Sequence, residues 1–129
     1  MAEHILLVDD NKDFLDAAHE FFSSKGYRVS AAQDGQAALK LVSRHRPDII
    51  LLDVMMPRMD GWETLKILQD NEQTADIPVL MLTAARGSES VKKSFDRGSV
   101  WYYSKPITDH DDLLLVIRRI LAEKGYPNL

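Results

Sequence analysis

Five side chains in this sequence have types that do chemistry when they are brought together: Asp9, Asp10, Asp53, Thr83 and Lys105. Asp9 and Asp10 are adjacent and end the apolar run "HILLVDD". Two like charges side by side repel each other and add nothing to a core. Asp53 ends a second run, "DIILLD"; Thr83 ends a third, "IPVLMLT"; and Lys105 follows "VWYYS". Three carboxylates clustered in a partly dry site raise one another's pKa unless a cation is present. A hard divalent ion answers that need. Mg²⁺ prefers oxygen ligands and usually keeps several waters, so two or three carboxylates and a backbone carbonyl suffice. Beside such an ion, a carboxylate such as Asp53 can attack a phosphoryl group and form an aspartyl phosphate. Thr83 and Lys105 would then steady the phosphoryl oxygens by position and charge.

Each residue also has a plainer reading. Asp10 can cap the helix that follows it, and Asp53 can be an ordinary turn residue before a proline-containing loop. Thr83 can bond its own loop, and Lys105 can be a solvated lysine before Pro106. What separates the readings is whether all five come to one place.

That depends on the elements that carry them. The chain has 129 residues, 45% hydrophobic and 28% charged, which suits one folded domain. Its net charge of -4 counts against general nucleic-acid binding. There is no cysteine, which excludes disulfides and thiolate metal sites. "MAEHILLV" lacks the pattern of a secretory signal, and no apolar run approaches the ~20 residues of a membrane span. A single soluble, cytoplasmic domain is the expectation.

Along the chain, short apolar runs alternate with segments of helical period. "HILLVD" (His4 to Asp9) reads as a strand buried on both faces. Phe14, Ala17, Ala18, Phe21 and Phe22 follow at helical spacing and stop at Gly26. "YRVSA" (Tyr27 to Ala31) alternates like an edge strand. Asp34 can cap a helix whose Ala37, Ala38, Leu41 and Val42 share a face. After the strand "DIILLD", the turn "MMPRMDG" leads into a helix through Leu65 and Leu68. The strands "IPVLMLT" and "VWYYS" flank a weakly amphipathic segment from Arg86 to Gly98, whose apolar residues are Val91 and Phe95. The last helix has a full stripe of Leu113, Val116, Ile117, Ile120 and Leu121, with Asp109 to Asp112 at its start and Arg118, Arg119 and Lys124 towards its end. Five strands alternating with five helices imply an α/β domain, a doubly wound parallel sheet covered on both faces. Ligands bind beyond the carboxyl ends of such strands, and the five residues sit at those ends.

These residues resemble the receiver domain of two-component response regulators. The resemblance spans nearly the whole chain and rests on four motifs in register: "DD" at Asp9 and Asp10, "DVMMPRMDG" from Asp53 to Gly61, "TA" at Thr83 and Ala84, and "KP" at Lys105 and Pro106. It implies a flavodoxin-like, five-stranded sheet of order 2-1-3-4-5, with a receiver domain over residues 1–124 and a tail over 125–129. It also implies that Asp53 is the phosphoacceptor and that Asp10, Asp53 and the Met55 carbonyl ligate Mg²⁺, with Asp9 acting mainly through a bound water. Thr83 and Lys105 would contact the phosphoryl group, and the Lys105–Pro106 bond would be cis. Tyr102 matches the family's aromatic switch. Tyr103 stands beside it, and strand alternation sends the two rings to opposite faces.

By the same resemblance, a histidine kinase or phosphotransfer protein donates the phosphoryl group. The output goes to a downstream protein or effector domain through the face made by the segment 86–98, the fifth strand and the final helix. Lys92, Lys93, Arg97, Arg118 and Arg119 add basic charge there. "GSVWYY" departs from the usual pattern and places Ser99 and Trp101 where they can alter that face. Met55 and Ala85 occupy positions that influence phosphoryl lifetime, and neither side chain can hold an attacking water. His4, His19, His45 and His110 lack metal-ligand spacing and read as surface or structural residues.

Three other protein classes share parts of this pattern. An aspartyl-nucleophile phosphatase of the haloacid dehalogenase type wants a second Asp where Met55 stands. An FMN protein would need a hydroxyl- or Gly-rich loop where "DDNKD" would repel phosphate. A receiver-like docking module that is never phosphorylated would not need all the phosphorylation residues present here.

Overall fold

The apolar runs form a parallel sheet whose three central strands are buried on both faces and so need cover on both sides, with two half-exposed strands at its edges. The computed structural model describes residues 3–84 and 100–123. Its elements run β1 (His4–Val8), α1 (Lys12–Ser24), β2 (Arg28–Ala32), α2 (Gly35–Arg44), β3 (Ile49–Asp53), α3 (Gly61–Asp70), β4 (Val79–Ala84), β5 (Val100–Lys105) and α4 (His110–Glu123). The strand order is β2-β1-β3-β4-β5, as expected. Four helices are present among the described residues. The helix expected over 86–98, its basic residues, Ala85 and the tail lie outside them.

Alternation along the strands sorts two cores. Ile5, Leu7, Ile49, Leu51, Leu80 and Leu82 face α1 and α4, whereas Leu6, Val8, Ile50, Leu52, Val79 and Met81 face α2 and α3. Burying each such side chain contributes roughly 1.5–3 kcal/mol. The two layers therefore fix the strand register firmly, since a one-residue slip would exchange the faces.

The α1 stripe differs from the expected one: Leu15, Ala18 and Phe22 are buried, Phe14 and Phe21 are partly buried, and Ala17 is exposed. Five apolar residues span more of the helix circumference than one sheet face can cover, and the helix phase that buries Leu15, Ala18 and Phe22 turns Ala17 outward. In α4, Leu114 is buried beside the expected stripe. Asn11, not Asp10, caps α1, its side chain accepting the Phe14 N–H at 3.1 Å. Asp34 caps α2 as expected, accepting the Ala37 N–H at 2.8 Å.

Candidate functional site: an acidic cluster at the carboxyl edge of the sheet

β1 and β3 are neighbours and end level with each other, so the residues at their carboxyl ends meet. Asp9 is held by its backbone N–H, which donates to the Ala32 carbonyl at 3.1 Å. Its Oδ1 accepts the Asn11 N–H at 2.9 Å. Asp53, the last residue of β3, is 3% exposed, Asp9 is fully buried, and Asp10 projects into solvent. Each of these three carboxylates offers an oxygen, and the three oxygens lie within 4.8 Å of one another.

Lys105 reaches this cluster from β5. Its Nζ donates to Asp53 Oδ1 at 2.9 Å and to Asp9 Oδ2 at 3.1 Å. The solvated-lysine reading therefore gives way to a bridge between two buried carboxylates. The Lys105–Pro106 bond is cis. An open cleft of about 240 Å³, lined by Asn11, Phe14, Lys105, Pro106 and Ile107, borders the cluster.

Thr83 is buried at the end of β4, one position beyond Leu82, the register partner of Asp53. Lys105 pairs in register with Ala84, the next residue along β4. The five residues named from sequence thus lie along one edge of the sheet. The Met55 side chain is 74% exposed, beyond the end of β3.

The loop after Asp53 is held in place by α3. The Gly61 N–H donates to the Val54 carbonyl at 2.8 Å. A Cβ at Gly61 would lie 2.3 Å from the Asp53 carbonyl oxygen, so only glycine lets the helix approach this closely. Asp60 and Glu63 form a capping box, with bonds of 2.9 and 3.3 Å. Arg58 takes a left-handed conformation with φ 66°, which turns the chain back towards that cap.

Charge in the cluster is unbalanced. Burial raises the Asp53 carboxyl above its ordinary value; the Lys105 hydrogen bond opposes this, and the charges of Asp9 and Asp10 add to it. Burial alone would lower the Lys105 ammonium, but its hydrogen bonds to Asp53 and Asp9 outweigh that and hold it above the usual lysine value. Three carboxylates against one ammonium leave a negative excess among hard oxygen donors. That donor set fits Mg²⁺.

The two tyrosines of β5 point to opposite faces. Tyr102 is exposed, whereas Tyr103 packs towards α1 and α4 with Trp101. The Tyr103 hydroxyl donates to Asp112 Oδ2 at 2.6 Å, and this bond is the main cause that pushes its pKa up to about 12. Sequence reasoning missed that bond, although the nine-residue spacing across the β5–α4 turn makes it possible. It also missed the ring of His110, which lies against Phe14 and Phe21 at centroid distances of 6.5 and 5.4 Å. His4 is structural, as expected: it is buried, with its Nε2 2.8 Å from Ser30 Oγ.

Comparison with known proteins gives the cluster a family setting. The response regulator PleD of Caulobacter vibrioides is 39% identical over 92% of this chain, which covers 25% of PleD. The chain spans between about a quarter and about half of the length of the curated relatives it matches. Among solved structures, the Vibrio cholerae chemotaxis response regulator CheY4 superposes with a TM-score of 0.84 at 30% identity, covering 93% of this chain and 99% of that one. The receiver domain of a Pseudomonas aeruginosa sensor histidine kinase, with a magnesium ion coordinated in its active site cleft, gives a TM-score of 0.82 at 27% identity, covering 95% and 99%. The profile of the response regulator receiver domain matches residues 5–126, and the chain belongs to that family.

Proposed function

We propose that this receiver domain is a signalling switch in which Asp53 accepts a phosphoryl group from a phosphohistidine on a sensor kinase or phosphotransfer protein. The observation that carries this reading is the setting of Asp53: buried, 2.9 Å from the Lys105 ammonium and within reach of two further carboxylates. A buried carboxylate beside a fixed cation and a cation-binding donor set is arranged to receive a dianionic group rather than to stabilise a fold.

In the transfer, an Asp53 carboxylate oxygen attacks phosphorus, the P–N bond of the phosphohistidine breaks, and the departing imidazole takes up a proton. Mg²⁺ held by Asp10, Asp53 and the Met55 carbonyl, with Asp9 mainly through a water, would neutralise charge on the phosphoryl oxygens. Lys105, already bonded to Asp53, then shifts its bond to a phosphoryl oxygen. Thr83 supplies a hydroxyl to another. The cleft beside Lys105 supports the reading by leaving room for a partner's side chain to approach.

The output runs through Thr83 and Tyr102. As Thr83 moves towards the phosphoryl group, the exposed ring of Tyr102 turns inward. The face formed by residues 86–98, β5 and α4 then changes its affinity for a downstream protein or effector domain. Met55 offers no hydrogen bond to a water, so hydrolysis of the aspartyl phosphate proceeds without help from that side chain.

Phosphoramidate, which carries a P–N bond, is the direct test. The protein is expected to gain one phosphoryl group from phosphoramidate with Mg²⁺, and none from ATP under the same conditions. Transfer from neither donor to a folded protein would overturn the proposal.

A further inference from the structure

On the face that carries α2 and α3, a second concave site lies away from the acidic cluster. The carboxyl-terminal halves of the two helices border an open groove of about 480 Å³. That volume falls in the range of small-molecule sites. α3 begins against the Asp53 carbonyl, and its Ile67 and Leu68, about 10 Å further along the helix, line this groove.

The floor is apolar, made by Leu39 and Val42 from α2 and by Ile67 and Leu68 from α3. Ile67 is 45% exposed, a large apolar side chain left at the mouth. The charged residues of the lining are Arg44 and Arg46, and the lining contains no carboxylate. In a chain of net charge -4, an uncompensated guanidinium at Arg44 favours an anionic ligand. The helix carboxyl ends alone would repel an anion. Arg44 reverses that sign, since the charge of Arg46 is matched by Asp76.

They also differ usefully. Arg46 is fixed in the wall, donating to the Gln73 carbonyl and to Asp76 Oδ1 at 2.7 Å. Arg44 makes no hydrogen bond or ion pair among the described residues. A free guanidinium beside an apolar floor presents one charged and one greasy surface to the same ligand.

We infer that the groove between α2 and α3 binds a small amphipathic anion, an acyl or aryl carboxylate whose apolar body lies on Val42 and Ile67 and whose carboxylate meets Arg44. The site is separate from the acidic cluster and does not depend on phosphorylation of Asp53.

Amide chemical shifts of the full chain, titrated with decanoate, test this. Saturable shifts confined to residues 39–46 and 67–74 are expected, with acetate and 1-octanol each binding at least about tenfold more weakly. Arg44→Gln and Ile67→Ser replace exposed side chains, and each is expected to weaken decanoate binding by about tenfold while the rest of the spectrum stays unchanged. Absence of saturable shifts, shifts centred elsewhere, equal binding of 1-octanol, or unchanged affinity in Arg44→Gln would each overturn the inference.

Discussion

At the amino ends of β1 and β3, the His4 N–H donates to Asp48 Oδ2 at 2.7 Å, and the His4 ring bonds Ser30. At the carboxyl ends of the same strands, Asp9 and Asp53 are both buried and share a single ammonium, with Asp10 alongside. The strands between are equally apolar, so the contrast belongs to the termini. One end satisfies its polar groups locally and needs nothing further. The other keeps a buried charge excess that a packed core would not retain for stability. Local rules broken at one end of an otherwise consistent fold mark where function resides.

That contrast can be broken experimentally, and the largest effect concerns the cation. Mg²⁺ at a hundredfold excess over its Kd should stabilise the wild type by about 3 kcal/mol. Asp53→Asn, which has lost one ligand charge, should respond much less. Urea midpoints with and without Mg²⁺ measure both, and an equal response would remove the cation from the account.

Next in size are single substitutions at the two ends in metal-free protein. Asp48→Ala leaves the His4 N–H without its acceptor and should cost about 2 kcal/mol. Asp53→Asn removes an unbalanced buried charge and should gain about 1 kcal/mol. A destabilising Asp53→Asn would mean that Lys105 already balances the site.

The smallest effect is in the pH dependence, where the two ends have opposite signs. Burial, then the Arg28 charge, lowers the His4 pKa, against the opposing charge of Asp48. The unfolded chain therefore binds the proton more readily, and this contribution to stability is lost as pH falls below about 6.5. Asp53 is raised, so the folded chain binds its proton more readily, and stability falls as pH rises above the ordinary carboxylate value. His4→Gln should flatten the first slope and Asp53→Asn the second, as read from urea midpoints at several pH values without metal. Slopes that do not separate in this way would show that other groups dominate.

Much of this was legible in the sequence, for physical reasons that also explain the gaps. The runs at Ile49–Asp53 and Val79–Ala84 announce buried parallel strands because nothing in them tolerates water, and their last residues are placed by the fold rule itself. The cap of α1 was not legible, since Asp10 and Asn11 are both good caps and only the phase of the helix chooses. Nor was the double bond from Lys105 to Asp9 and Asp53, because a flexible side chain 96 residues from Asp9 has no sequence signature for its reach. The groove between α2 and α3 depends on how far two helices diverge, which is set by packing rather than by either helix's own pattern.

In the proposed function, the acidic end holds a phosphoryl group on Asp53. Intact mass after incubation with acetyl phosphate, with and without Mg²⁺, tests it for the wild type and Asp53→Asn. One added phosphoryl group that needs both Mg²⁺ and Asp53 is the predicted result. A folded wild type that gains nothing, or an Asp53→Asn protein that gains as much as the wild type, would contradict it.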